Sequence, residues 1–168
     1  MRFGGIRKML QVVIYGLIAL IILVALLRLT PIWDGILSAK PAEIVDFATL
    51  EPPQKPNWFL LCEDNVCAAA TPKATPPIFE ISAEELKGRM EALLLEMANT
   101  NVRLERGNDL DVLVRTPIMR WPDIISIQIV PLDEGKSTLR IYSRSIYGHS
   151  DLGANKARVM GWLARLQS

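Results

Sequence analysis

The sequence predicts an α+β fold: a single N-terminal transmembrane helix, then a four- to five-stranded antiparallel sheet with two helices on one face, in the order β-α-β-β-β-β-α. Three observations predict it. Residues 9–27 carry no charge over a length that matches a bilayer core. Residues 102–142 alternate apolar and polar side chains with period two, in four runs separated by turn residues. The flanking segments, 82–97 and 150–166, repeat apolar residues at helical spacing instead.

The 168 residues leave room for one domain of ordinary size and an appendage. There are 19 Lys and Arg against 18 Asp and Glu. Four of the basic residues (Arg2, Arg7, Lys8, Arg28) fall in the first 28 positions, which hold no acidic one. The remainder is therefore net negative, fifteen basic against eighteen acidic, which argues against a nucleic-acid partner. Two Cys and one His are too few for a four-ligand Cys/His zinc site.

The first element is the stretch Met9 to Leu27, whose only strongly polar residue is Gln11. Its nineteen residues span about 28 Å as a helix. It is apolar all round, where a core helix would show polar interruptions at a period of 3.6. The run is longer than the apolar region of a cleaved signal peptide and no A-x-A pattern follows closely, so a retained anchor is expected. Arg2, Arg7 and Lys8 before the span and Arg28 alone after it keep residues 1–29 on the cytoplasmic side and in the bilayer. The expected location is the inner membrane of a bacterium, single-pass, with the C-terminal domain periplasmic.

Eight of the eleven prolines lie between Pro31 and Pro77. Proline fixes φ and removes a donor, so residues 30–56 read as an extended, proline-rich tether and residues 57–168 as the folded domain. Cys62 and Cys67 flank the turn-forming Glu-Asp-Asn-Val. In an oxidising compartment they are expected to form a disulfide, closing a small loop for about 2 kcal/mol. C-x4-C in a proline-rich loop suits a structural clasp better than a redox pair.

Ile78 to Ile81 is the candidate fifth strand. Ser82-Ala83-Glu84-Glu85 then matches a capping box, and Leu86, Met90, Leu93, Leu94 and Met97 form one helical stripe. Val102 and Leu104 open the first alternating run; Gly107-Asn108-Asp109 turns it into Leu110, Val112 and Val114. Ile125, Ile127 and Ile129 make the third run, and Leu139 and Ile141 the fourth, after Asp133-Glu134-Gly135. Each run has one apolar face, the pattern of an antiparallel sheet covered on one side. The last helix is expected to start at Ser150 or Asp151, with Leu152, Val159, Leu163 and Leu166 buried and Asn155 on the same stripe.

Ser143 to Arg158 reads SRSIYGHSDLGANKAR. This closely resembles the C-terminal signature of an uncharacterised bacterial envelope family, the domain of unknown function numbered fourteen ninety-nine. Ser143, Arg144, Ser145, Gly148, Ser150, Asp151, Gly153, Asn155 and Arg158 carry the match, with Arg115-Thr116 and Arg120-Trp121-Pro122-Asp123 upstream. Ile146 stands where the family usually has a second Arg. The resemblance implies a fold and a location but no reaction.

Candidate chemistry is thin. His149-Ser150-Asp151 contains the residue types of a hydrolase triad, but adjacent residues do not point at one another as triads require. Glu84, Glu85 and Glu91 suit the solvated N-terminal half of a helix better than a metal. No catalytic, cofactor or metal residue is assigned. The sheet's polar face offers Arg103, Arg115, Arg140, Tyr142 and Arg144 as a candidate docking face for anionic headgroups or an acidic partner. Glu105 and Asp111, placed on the same face, would explain those arginines by cross-strand pairing alone. The expected function is non-enzymatic: partner binding, or an accessory subunit of an inner-membrane complex, with the bilayer (through residues 9–27) and another inner-membrane protein as partners. The alternative is a periplasmic lipid or small-ligand binding domain using the cleft between helix and sheet.

Overall fold

A computed structural model describes residues 3–168 of the chain; Met1 and Arg2, the latter part of the basic flank, lie outside the described residues. The chain divides into two compact units at Ser38/Ala39.

The first unit holds helix α1 (Phe3–Leu27) and a short helix α2 (Pro31–Ile36). Helix α1 is long and apolar enough to cross a membrane from Gly5 to Leu27, and no residue of its most apolar stretch is buried within the protein. The chain stops the helix at residues 28–30, where the Thr30 hydroxyl donates to the Leu27 carbonyl. Pro31 then occupies the first turn of α2, where its missing N–H costs nothing. Residues 31–36 are thus helical rather than part of an extended tether.

The second unit is a five-stranded antiparallel sheet with two helices: β1 (Trp58–Leu61), α3 (Ala83–Glu96), β2 (Thr100–Arg106), β3 (Asp109–Arg115), β4 (Pro122–Pro131), β5 (Ser137–Ser145) and α4 (Ala154–Leu166). Strands β2 to β5 form a meander and β1 adds to the free edge of β5, giving the order β1-β5-β4-β3-β2. The first strand is therefore Trp58–Leu61, not Ile78–Ile81; there only Phe79 bridges to Ser137. Trp58–Leu61 is aromatic and apolar, whereas Pro76 and Pro77 deny a strand at 78 its leading donors.

Both helices lie on one sheet face. Phe59, Leu61, Leu110, Val112, Ile125, Ile127, Leu139 and Ile141 meet Leu86, Met90 and Leu94 of α3 and Val159, Trp162 and Leu166 of α4 in one buried cluster. Each such side chain contributes on the order of 1.5–3 kcal/mol by leaving water. These side chains fill the space between helices and sheet, where the alternative reading expected a ligand cleft. Helix α3 begins as the capping box requires, with the Ser82 hydroxyl accepting from the Glu85 N–H at 3.1 Å.

Three sequence expectations are corrected here. Helix α4 begins at Ala154 with Gly153 as its cap residue, so Leu152 is not in the buried stripe; it is 97% exposed, with φ 52°. A bulge between Val102 and Leu104 shifts the register, so that Glu105 sits opposite core residue Leu110 and pairs with Lys87 of α3. Glu105 thus belongs to the helix side, apart from Asp111. Finally, the folded unit starts at Ala39 rather than Asn57. Residues 39–56 have no helix or strand, but Phe47 is buried with Leu60, Tyr142 and both cysteines, and Leu50, Trp58 and Val66 pack beside them. An Asp46 carboxylate accepting from the Ala48 N–H and the Thr49 hydroxyl makes the turn that aims Phe47 inward. The sheet face away from the helices is covered by this strap and by the disulfide loop.

Candidate functional site

The signature residues 143–158 run from the end of β5 through a loop into α4, and two left-handed glycines shape that loop. Gly148 has φ 86° and Gly153 φ 84°, a conformation that favours residues without a Cβ. Between them the Ser150 hydroxyl accepts from the Leu152 N–H, and the Asp151 carboxylate accepts from the N–H groups of Gly153 and Asn155. Asp151 thus supplies the side-chain cap of α4 from two residues before the cap position. Burial pushes the Asp151 carboxyl up, but hydrogen bonds from Asn155, Gly153 and the Asn155 amide outweigh it and hold the group below its ordinary 3.8.

Asn155 is wholly buried and fully used. Its amide nitrogen donates to the Asn57 carbonyl (3.0 Å), the Ser145 hydroxyl (3.1 Å) and Asp151 (2.8 Å). Its oxygen accepts from the Ser143 hydroxyl (2.6 Å) and Arg158 (2.8 Å). Arg158 also donates to Ser143 and pairs with the buried Asp123 at the start of β4. Asn57, just before β1, returns two bonds to the carbonyls of Ser145 and Gly148. One network therefore ties β1, β4, β5 and α4 together. His149 is exposed, while Ser150 and Asp151 both accept from backbone N–H groups of the loop and of α4. On α3, Glu85 pairs with Arg89 and Glu91 with Lys87.

The candidate docking face is not an open surface. Arg103 is held by buried Asp111 and the Lys40 carbonyl. Arg115 donates to the Arg120 carbonyl, and Arg140 to Glu63 and Gln128. Arg144 donates to the Ser126 hydroxyl and to Glu43, and lies over the Tyr142 ring at 4.8 Å. Burial lowers the Arg144 pKa, against the raising influence of Tyr142 and Glu43, and burial raises that of Tyr142. Apart from Arg115, these arginines serve as the inner layer between the sheet and what covers it.

Two surface features were not foreseen in the sequence. The first is a cavity of about 740 Å³ between the strap and the end of the sheet, with Tyr142, Arg144 and Asn57 on its lining. The second is a groove of about 380 Å³ between the β3–β4 loop and the signature loop, lined by Trp121, Tyr147, Asp151 and Leu152. The Trp121 and Tyr147 rings stand 5.5 Å apart. Leu152 also borders a shallower hollow beside Trp58 and Lys156. Ile118 and Met119, exposed on the β3–β4 loop, extend the apolar character of this end. Its signal in the sequence was apolar residues outside the predicted elements, Ile118, Met119, Trp121 and Tyr147; Leu152 was assigned to a buried helical stripe instead.

The family model described as "Protein of unknown function (DUF1499)" matches residues 49–166, which takes in the signature and every strand of the sheet. No curated protein matches the chain.

Proposed function

The chain belongs to the DUF1499 family, and from that premise we propose that it is a membrane-anchored, non-enzymatic envelope protein that binds a partner through the apolar end of its domain. In this reading residues 9–27 hold it in a bacterial inner membrane. The basic flank keeps the N-terminus cytoplasmic, and the domain stands in the periplasm as an accessory subunit of a membrane complex. The Cys62–Cys67 disulfide supports an oxidising compartment for the domain.

Leu152 carries the binding reading. An L-residue in the left-handed region costs on the order of 1–2 kcal/mol. The Leu152 side chain, at 97% exposure, recovers nothing by burial within the chain. Beside it stand the exposed Trp121 and Tyr147, residue types that dominate binding energy at interfaces. With Asp123 on the same lining paired to Arg158, Asp151 gives the groove negative charge beside two π faces. The partner surface that fits is apolar with a basic side chain at its margin.

Site-specific photo-crosslinking in native membranes tests this. A photoreactive residue at position 152 is expected to give one discrete adduct of higher mass. The same residue at Leu95, 87% exposed on α3 away from the groove, is expected to give none. No adduct from position 152, or the same pattern from both positions, would overturn the reading.

A further inference from the structure

We propose that the cavity beneath the strap is a binding site for a small amphiphilic anion, a carboxylate or phosphate monoester on an apolar body, with Arg144 as its anchor. This site is separate from the Leu152 groove and stands or falls without it. The cavity's volume, about 740 Å³, lies within the range of small-molecule sites.

Two polar, largely buried groups stand on its lining, and one of them has donors to spare. Tyr142 is 3% exposed and lies on the lining. Arg144 has a side chain 13% exposed, over the Tyr142 ring at 4.8 Å. A guanidinium carries five N–H donors, and among the described residues two bonds engage this one, to Ser126 and Glu43. The guanidinium is thus pre-oriented by the ring and by Ser126, with donors to spare for the two-pronged geometry that suits carboxylate and phosphate.

The carboxylate in direct contact with it, Glu43, is weakly held. Glu43 reaches Arg144 at 3.2 Å from the strap while 61% exposed, and an ion pair with so exposed a member is easily exchanged. A ligand anion can take Glu43's place without stranding it, because Glu43 can turn to water. Lys40 and Lys55 on the same lining offset Glu43 and Glu51, leaving the charge of Arg144 in excess. Val45, Leu50 and Ile146 supply apolar wall for a short chain. Ile146 makes the wall apolar where it meets Arg144 and Ser145.

The test uses the full chain in nanodiscs of neutral lipid, titrated calorimetrically with empty discs subtracted. Octyl phosphate and octanoate are expected to bind saturably. Inorganic phosphate, with the same head and no apolar body, is expected at least about tenfold weaker, and octanol, with no charge, should show no saturable binding. Arg144→Gln is expected to weaken octyl phosphate binding at least about tenfold. Glu43→Gln removes the internal competitor from an exposed position and is expected to tighten it by about threefold. Absence of saturable binding by both octyl anions overturns the proposal, as does inorganic phosphate binding as tightly as octyl phosphate. So does binding by Glu43→Gln that is unchanged or weaker, a result readable even if Arg144→Gln fails to fold.

Discussion

Replacing Asn155 by Ala removes five side-chain hydrogen bonds from a residue with no exposure. Not all five losses are equal. The Asn57 carbonyl keeps the Ser145 N–H at 3.0 Å, and Asp151 keeps the Asn155 N–H at 2.8 Å. Two donors are left without an acceptor: the hydroxyl of wholly buried Ser143 and one N–H of Arg158. At about 1–3 kcal/mol for each stranded group, and less for the partly exposed arginine, the loss is about 2–4 kcal/mol. For a domain of this size that lowers the melting temperature by roughly 6–12 °C. Thermal unfolding of the full chain in neutral detergent reads it directly. Adding Ser143→Ala removes the stranded hydroxyl but also the oxygen to which Arg158 donates, so the double variant is expected to stay within about 1 kcal/mol of Asn155→Ala alone. A shift for Asn155→Ala smaller than about 2 °C would refute the view that this network holds the fold together.

Two further outcomes follow from the same geometry. Asp151 has a depressed pKa in the folded state, so its contribution to stability is present above its ordinary 3.8 and is lost as pH falls through the lower folded value. The stability gap between wild type and Asp151→Asn should therefore close below about pH 4 and stay constant at neutral pH, checked by melting curves across that range. Alkaline phosphatase fused after Ser38 should be active in cells, and Cys62 and Cys67 should resist alkylation until reduced. An inactive phosphatase, or labelling before reduction, would place the domain in the cytoplasm.

Much of the architecture was legible from period alone. The apolar stripe of α3, the capping box at Ser82 and the four alternating runs after Val102 predicted one helix and the meander in order. The signature residues were also legible as a group, and Asn155 as a buried amide in need of partners. What the sequence hid were effects of tertiary context. The proline content of residues 30–56 signals extended chain, yet Pro31–Ile36 is helical, and it does not signal whether such a segment floats or packs. Phe47 and Leu50 decide the matter, and they become informative only once Leu60 and Tyr142 are known to point at them. The arginines read as an open face for the same reason: their partners Glu43 and Glu63 lie 101 and 77 residues away in sequence. Glu105 was misplaced because a single-residue bulge reverses which side of a strand a residue faces. Leu152 fits helical spacing with Val159, Leu163 and Leu166, but the left-handed turn at Leu152 and Gly153 starts the helix after it.

The most direct test separates the network that holds the domain from the surface that works. Trp121→Ala truncates an exposed ring that makes one aromatic contact, with Tyr147. It should therefore leave the melting temperature within about 2 °C of wild type. In the same protein, the photo-crosslinked adduct from position 152 should disappear. An adduct that persists in Trp121→Ala, or a melting temperature that falls together with the adduct, would contradict the assignment of this end of the domain as its binding surface.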